Sequence, residues 1–391
     1  MPPYRRAFAA ACVFAPLFYI YWCRLTKSDL FSDFEDRSLN EDVSNSTLGF
    51  SKIFVINLPS RTDRRDAMAL AGAVGNLTFS WVDGVFGDQV GDLDAPPGNR
   101  IRSSGARGSW RSHMNALKAV VDNNLGSALI VEDDIDWDVR LKSQLQVFAS
   151  ASRTWLKESN SAKDTVKLDT SRDAIGRGHE AIYGDDWDVL WLGHCGTDFP
   201  PNNSGVSPLR VTILGDDTVP APKHLKPHPF ALKDKLGELY PPHTRVIHAS
   251  SGTICSLAYA VSYQGARKLL REFDSHYDTQ WDLVLQKWCE GGCNPGNKFK
   301  LKSEPETDDE VTPQHQEARP VCITVQPPLF SHHYAKGGAS NIQGQGGGYA
   351  KGTGTPYIRL SVRENMKRLI AGAPASKMVD QLPDYENPIW R

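Results

Sequence analysis

The sequence has no basic run and almost no net charge. Its 391 residues carry 44 Lys and Arg against 46 Asp and Glu, a formal net charge of -2, which gives no support for nucleic-acid binding. The most Gly-rich stretch, residues 337–354, lacks the G-x-x-x-x-G-K-[ST] pattern of a phosphate loop. Internal repeats are also missing. Hydrophobic residues make up 40% and charged residues 23%, as in a globular protein with a sizeable core.

Residues 7–23 are an uncharged apolar run between Arg6 and Arg24. A membrane-spanning helix needs roughly 17–25 residues, so the run predicts a signal anchor behind a cytoplasmic tail of residues 1–6. A cleaved signal peptide is the alternative, but bulky and charged residues stand where a small-x-small cleavage site would be. The polar, acidic residues 24–50 are interpreted as a stem.

Three glycosylation triplets begin at Asn45, Asn76 and Asn202. Together with the apolar N-terminus they predict a lumenal body in the Golgi or endoplasmic reticulum. Five cysteines lie outside the apolar segment, so at least one is unpaired or pairs with another chain. Cys289 and Cys293 have no second cysteine pair of zinc-site spacing nearby, which favours disulfide partners over a metal site.

Short apolar runs alternate with helical stretches through the body. Such alternation predicts an α/β fold with a mostly parallel sheet. A cap at Ser109 predicts a helix that carries His113 and Leu117 along one face. Predicted strands are Lys52–Leu58, Trp81–Gly84, Ala128–Val131, Trp187–Leu192, Ile254–Val261 and Val321–Val325. Three segments read as long loop insertions, at 157–186, 196–245 and 294–318.

The most informative segment is the end of the strand Ala128–Val131. Glu132, Asp133 and Asp134 follow it directly, and Asp136 comes two residues later. Ligands of open α/β sheets bind at the carboxyl ends of strands, and crowded carboxylates repel one another unless a cation neutralises them. Oxygen-rich sites suit Mn²⁺ or Mg²⁺. A solvated acidic turn, or a helix N-terminus that favours Asp, is the alternative.

Five motifs occur in an order that resembles glycosyltransferase family 25. The motifs are the strand-Asn-Leu-loop-Arg segment 53–65, the Gly-x-x-x-Ser-His helix at 108–116, the strand ending in Glu-Asp-Asp at 128–134, Asp-x-Leu-x-Leu-Gly at 188–193, and the strand-to-helix segment 258–270. This family includes bacterial lipopolysaccharide galactosyltransferases and animal collagen galactosyltransferases. The long insertions and the loosely matching segment after Asp282 depart from its pattern.

The resemblance implies a GT-A-like, Rossmann-type sheet flanked by helices, behind the membrane anchor. It further implies a UDP-sugar donor, with UDP-galactose the family's usual one, and inversion at the anomeric carbon. A glycosyltransferase domain over residues 51–335 is expected, followed by residues 336–391, a Gly-rich possible lid with a C-terminal tail. Surface disorder is the alternative for the Gly-rich stretch.

Metal binding is assigned to Asp133 and Asp134, and His332 is a candidate third ligand because imidazole also accepts Mn²⁺. Glu132 is expected to orient its neighbours or the donor sugar. Inversion needs a general base to deprotonate the acceptor hydroxyl. The resemblance offers Asp282, for which a donor-sugar contact or a plain surface role stays open. Asp278 is a second candidate, with a helix cap as its alternative.

Nucleotide contacts are expected from residues near the first strand and on the Ser-His helix. Asn57, Arg61, Arg64 and Arg65 follow the first strand, where arginine forks suit a diphosphate; exposed helix surface is the alternative for Arg64 and Arg65. Ser112 and His113 are assigned to the donor pocket, although a helical histidine is more often a core residue.

The leading hypothesis is therefore a type II, metal-dependent inverting hexosyltransferase that acts on a glycan or glycoprotein hydroxyl. An inactive family member serving as a binding or adhesion protein is one rival. A metal-dependent phosphoester hydrolase is the other, although the additional ligands of a two-metal site are not evident. Acceptor, linkage, hexose identity and oligomeric state are left open by the sequence.

Overall fold

The computed structural model describes residues 43–91, 103–161, 163–169, 181–202, 204–225, 234–275, 279–292, 319–334 and 353–387. The predicted anchor at 7–23, most of the stem, the acidic segment 294–318 and most of the Gly-rich stretch lie outside these ranges. Among the residues described, no helix has both the length and the apolarity to span a bilayer.

Within these described ranges, eleven strands form one sheet. They are β1 (Lys52–Asn57), β2 (Phe79–Asp83), β3 (Ser127–Glu132), β4 (Ile135–Trp137), β5 (Thr165–Lys167), β6 (Val189–Gly193), β7 (Arg210–Leu214), β8 (Thr244–Ala249), β9 (Ala258–Ser262), β10 (Cys322–Gln326) and β11 (Phe330–His332). Their order is β2-β1-β3-β9-β6-β10-β8-β7-β5, with β11 beside β6 and β4 beside β11. Only β4, β8 and β9 run against the other eight, so the predicted mostly parallel sheet is confirmed.

Helices cover both faces of the sheet. They are α1 (Thr62–Val74), α2 (Ser104–Asp122), α3 (Leu141–Glu158), α4 (Leu236–Leu239), α5 (Tyr263–Ser275), α6 (Trp281–Cys289) and α7 (Met366–Ile370). Successive strand residues point to opposite faces. In β3, Leu129 and Val131 pack in the core that contains α1 and α3, whereas Ala128 and Ile130 pack in the core beneath α2, α5 and α6. The fully apolar run in the sequence reflects this burial on both sides.

The strands β1, β3, β6 and β11 end at the same edge of the sheet, which we call the carboxyl edge. Gly193, the last residue of β6, is needed there because β9 and β11 approach it closely. A Cβ atom at Gly193 would lie 2.8 Å from the Cβ atom of Ala258 and 2.9 Å from that of Phe330. The glycine of the Asp-x-Leu-x-Leu-Gly motif thus lets β11 reach the carboxyl edge.

Two expectations about local structure were wrong. The helix assigned to a cap at Ser109 begins five residues earlier, at Ser104, and Ser103 caps it by accepting a hydrogen bond from the amide of Ala106. The segment 196–245 is not a loop insertion, since it supplies β7 and the start of β8 to the sheet. These short strands are hard to recognise in the sequence because the segment is rich in proline and histidine.

Two disulfides join distant parts of the chain, Cys195 with Cys255 and Cys289 with Cys322. Cys289, at the end of α6, is therefore a disulfide partner, as predicted, and it pairs with Cys322 at the start of β10. Cys293 lies outside the described residues. The two bridges are consistent with an oxidising compartment.

The C-terminal segment 353–387 is fastened to the body through the buried carboxylate of Asp136. This carboxylate accepts hydrogen bonds from the hydroxyls of Thr355 and Ser361 and from the amides of Trp137 and Arg363. Asp136 is fully buried, and a buried carboxylate is tolerated only when it is hydrogen-bonded in this way. Sequence order alone gave no sign that residues beyond 353 pack here.

We predict that Asp136→Ala lowers the free energy of unfolding by about 3 kcal/mol, because buried donors lose their acceptor. Urea denaturation of the purified protein measures this. Asp122→Ala, which removes an exposed ion pair with Lys118, serves as a control and should change stability by less than about 0.5 kcal/mol. Equal stabilities for the two variants would contradict the anchoring role of Asp136.

Candidate functional site

The acidic turn that follows β3 is held from the end of β1. Asn57, the last residue of β1, donates from Nδ2 to Asp133 Oδ2 at 2.8 Å and to the carbonyl of Arg61 at 3.1 Å. Asn57 is only 1% exposed, and its Oδ1 has no hydrogen-bond partner in the described structure. The parallel pairing of β1 with β3 brings these residues together at the carboxyl edge.

Arg64, in the first turn of α1, bridges the two aspartates of the turn. Its Nη1 atom lies 2.7 Å from Asp133 Oδ1 and also 2.7 Å from Asp134 Oδ2. His332, the last residue of β11, approaches the same oxygen of Asp134 with its Nε2 atom at 3.3 Å. Four residues assigned to the site from sequence, Arg64, Asp133, Asp134 and His332, therefore form one cluster.

The carboxyl groups of the turn titrate differently because their surroundings differ. Burial and the neighbouring Asp134 raise the pKa of Glu132 to about 8. Burial, followed by Asp134, also raises the pKa of Asp133. Burial opposes ionisation of Asp134 as well, but His332, Arg64 and Arg363 outweigh it and hold the pKa of Asp134 below its usual range. The turn therefore carries its negative charge most firmly at Asp134.

The chemistry of the cluster fits a hard divalent cation. Carboxylate, imidazole and amide oxygen groups are all ligands of Mn²⁺. Asp134 Oδ1 and His332 Nδ1 are buried and have no hydrogen-bond partner in the described part of the chain, so the cluster contains unsatisfied ligand atoms. Within the described ranges, however, no three His, Cys, Asp or Glu side chains already converge on one metal position. The Arg64 guanidinium lies between the two aspartates instead.

The opposite wall of the site comes from the loop before β9 and from α6. Ser256 donates from Oγ to Glu132 Oε1 at 3.0 Å, and Asp282 Oδ2 accepts from the amide of Cys255 at 2.8 Å. The Cys195–Cys255 disulfide ties this loop to the end of β6. Asp282 is half-buried and raises the pKa of Glu132 through its charge, so it faces the acidic turn. Asp278 lies outside the described residues.

The other two arginines near β1 point elsewhere. Arg61 forms a two-point ion pair with Asp63, with contacts of 2.8 and 2.7 Å. Arg65 lies over the ring of Trp81, 4.4 Å from its centroid. Arg64 is the arginine that forms ion pairs with the acidic turn in the described structure, and Arg61 interacts with Asp133 through its charge.

Ser112 holds the loop that follows β2 through hydrogen bonds. Its hydroxyl accepts from the amide of Val85 at 2.9 Å and donates to the carbonyl of Gly108 at 2.7 Å. Gly108 permits this approach, since a Cβ atom there would lie 2.3 Å from the carbonyl oxygen of Val85. The Gly-x-x-x-Ser part of the motif thus packs α2 against the loop that leaves the carboxyl edge.

His113 is buried between aromatic rings. It stacks on Trp281 with ring centroids 4.8 Å apart and planes at 3°, and its Nδ1 lies 2.9 Å from the hydroxyl of Tyr259. Burial lowers the pKa of His113 to about 3, so its imidazole is neutral. Because Trp281 precedes Asp282 at the start of α6, His113 positions this wall of the site from behind.

Arg363 is a site residue that the sequence did not reveal. It donates from Nε to the carbonyl of Ile135 at 2.9 Å and from Nη2 to the carbonyl of Asp133 at 3.3 Å. The amide of His333 similarly binds the carbonyl of Asp134 at 2.8 Å. The backbone of the acidic turn is thus held by β11 and by the C-terminal segment. Arg363 lies more than 200 residues from the turn in sequence, and no sequence motif marks it.

A cavity of about 540 Å³ opens at the other edge of the sheet, beside the Cys289–Cys322 disulfide. None of the residues assigned to the site lines it. Polar chemistry is concentrated at the carboxyl edge, and we take that edge as the functional site.

Comparison with known proteins gives an independent result. Residues 50–173 match the model of glycosyltransferase family 25, described as an LPS biosynthesis protein family. Procollagen galactosyltransferase 1-A of Xenopus laevis is 28% identical over 182 residues, which cover 43% of this chain and 25% of the relative. Procollagen galactosyltransferase 1 of Danio rerio is 31% identical over 112 residues, covering 25% and 18% respectively.

One similar protein is named as inactive. Inactive glycosyltransferase 25 family member 3 of Homo sapiens is 27% identical over 114 residues, 26% of this chain and 19% of the relative. The chain thus spans a quarter or less of the length of these relatives. The resemblance to family 25 is confirmed, and the matched residues include Asn57, Arg64 and the acidic turn.

We predict that His113→Ala destabilises the fold by about 2–4 kcal/mol, because it leaves a cavity beneath Trp281 and unpairs the Tyr259 hydroxyl. His113→Phe keeps the stacked ring and should cost about 1 kcal/mol. Urea denaturation gives both values. If His113 is instead a donor-pocket residue without a packing role, both variants will unfold at the wild-type urea concentration.

Proposed function

We propose that the chain transfers a hexose, with galactose favoured, from a UDP-sugar donor to a hydroxyl of a glycan or glycoprotein. The transfer proceeds with inversion and depends on Mn²⁺ or Mg²⁺. The observation that carries this proposal is the convergence of Asn57, Arg64, the acidic turn and His332 at the carboxyl edge, inside and next to the segment matched to family 25. The similarity to procollagen galactosyltransferases supports galactose.

In this proposal Asp133, Asp134 and His332 hold the divalent cation. When bound, the cation supplies charge stabilisation to the departing nucleoside diphosphate. Arg64 offers a guanidinium fork to the diphosphate oxygens. Glu132, whose pKa of about 8 keeps it protonated at neutral pH, is able to donate a hydrogen bond to the donor sugar.

Asp282 is the general base in this scheme. One carboxylate oxygen is held by the amide of Cys255, which fixes the orientation of the group while the side chain stays half-buried at the site. It lies across the turn from the cation ligands, where an acceptor hydroxyl is deprotonated as it attacks the anomeric carbon. His113 and Trp281 hold α6 in place behind it.

A lumenal body of a type II membrane protein is part of the proposal. Its support is the apolar run at 7–23, the two disulfides, and the three exposed asparagines of the glycosylation triplets, Asn45, Asn76 and Asn202. Disulfides persist in the secretory pathway and are rare in the cytosol.

The donor and the metal are tested together by nucleotide release. Purified protein is incubated with a panel of nucleotide sugars and an acceptor glycan mixture, with Mn²⁺ or with a chelator. We expect release from UDP-galactose that requires Mn²⁺ and falls at least about 100-fold in Asp134→Asn. Absence of release from every donor, without any shift of the melting temperature on adding Mn²⁺, would favour an inactive binding protein. Release at full rate without acceptor would favour a hydrolase.

The base is tested by Asp282→Asn. The amide oxygen of the new side chain can still accept a hydrogen bond from the amide of Cys255, so the fold is kept. Because the side chain can no longer abstract a proton, kcat should fall about 10²–10⁴-fold, with little change in the Kd for UDP. Glu290→Gln is the matched control, since Glu290 accepts in the same way from the amide of Gly252 at 2.7 Å. A kcat loss of similar size in both variants would refute the assignment.

A further inference from the structure

One nitrogen atom of Arg64 stands at the point between the two aspartates of the acidic turn. Nη1 lies 2.7 Å from an oxygen of Asp133 and 2.7 Å from an oxygen of Asp134. A divalent cation that bridges the two carboxylates through these same two oxygens would occupy this point. The guanidinium and such a cation therefore exclude each other from this position, by contact and by charge.

Arg64 and Arg363 place two positive charges against the acidic turn, since Arg64 contacts both aspartates and Arg363 donates to the carbonyl of Asp133. A divalent cation at the oxygens that face Arg64 is therefore repelled by both guanidinium groups. A nucleotide sugar brings about two negative charges on its diphosphate, and these attract the cation and the guanidinium groups alike.

Arg64 is able to change partners without unfolding its helix. It lies in the first turn of α1, its side chain is 17% exposed, and Asn57 fixes the backbone just before the helix through the carbonyl of Arg61. Arg61 and Arg65 are engaged with Asp63 and Trp81. Arg64 is thus the arginine of this segment that is placed both to neutralise the aspartates and to receive a phosphate.

We propose that Arg64 competes with the divalent cation for Asp133 and Asp134, and that the donor diphosphate relieves the competition by taking over the guanidinium. Cation and nucleotide then bind cooperatively, each raising the affinity for the other by the same factor. This inference rests on the proposed function, and it adds a role for Arg64 that phosphate binding alone does not include.

Calorimetric titration of the full chain with Mn²⁺, in the absence and presence of saturating UDP, tests the inference. In the wild type, UDP should tighten Mn²⁺ binding about 5–150-fold. In Arg64→Gln, Mn²⁺ alone should bind about 5–10-fold more tightly than in the wild type, because its competitor is gone. The effect of UDP on Mn²⁺ affinity should shrink in this variant, because there is no guanidinium for the diphosphate to draw away from the aspartates.

Two further variants make the result specific. Arg64→Lys keeps the charge but loses the guanidinium fork, so its Mn²⁺ affinity should lie between those of the wild type and Arg64→Gln. Arg267→Gln, which removes a charge from an exposed arginine over the ring of Tyr263, should match the wild type. Melting temperatures confirm that each variant is folded.

Weaker or unchanged Mn²⁺ binding by folded Arg64→Gln in the absence of UDP would overturn the inference and leave the proposed transferase intact. Failure of both the wild type and Arg64→Gln to bind Mn²⁺, with or without UDP, would overturn the inference together with the metal dependence of the proposed function. Nucleotide release by the wild type distinguishes these two failures.

Discussion

Four carboxylates within five residues at the end of β3 are the constraint on which the rest of the site depends. They are stabilised in three ways: burial favours the protonated form of Glu132, Asp133 and Asp134 share Arg64, and Asp136 is surrounded by hydroxyl and amide donors. The partners come from α1, β11 and the C-terminal segment. Distant parts of the chain therefore meet at this turn because a buried strand cannot end in unpaired charge.

Much of the architecture could be predicted from local pattern. The buried strands at 52–57, 127–132 and 189–193 are short apolar runs with glycine or polar residues at their ends, and such runs have few alternatives. Parallel pairing then places Asn57 and the acidic turn at one edge, as the rule for open α/β sheets requires. The metal role of Asp133 and Asp134 stays a prediction.

What the sequence did not reveal depends on long-range contacts. Arg363 and Asp136 have no motif, and their roles exist only because residues 353–387 return to the turn. The strand β7 and the start of β8 lie in a Pro- and His-rich segment, and these strands are only five and six residues long. For His113 the sequence left a donor contact and a core role open, and its spacing on α2 places it in the aromatic core.

The most direct test of the account is a crystal structure of the protein with Mn²⁺ and UDP, with anomalous data that locate the metal. We expect Mn²⁺ to be held by carboxylate oxygens of Asp133 or Asp134, and the Arg64 guanidinium to be turned onto a phosphate oxygen. A nucleotide bound away from the carboxyl edge, or a metal that does not touch the acidic turn, would contradict it.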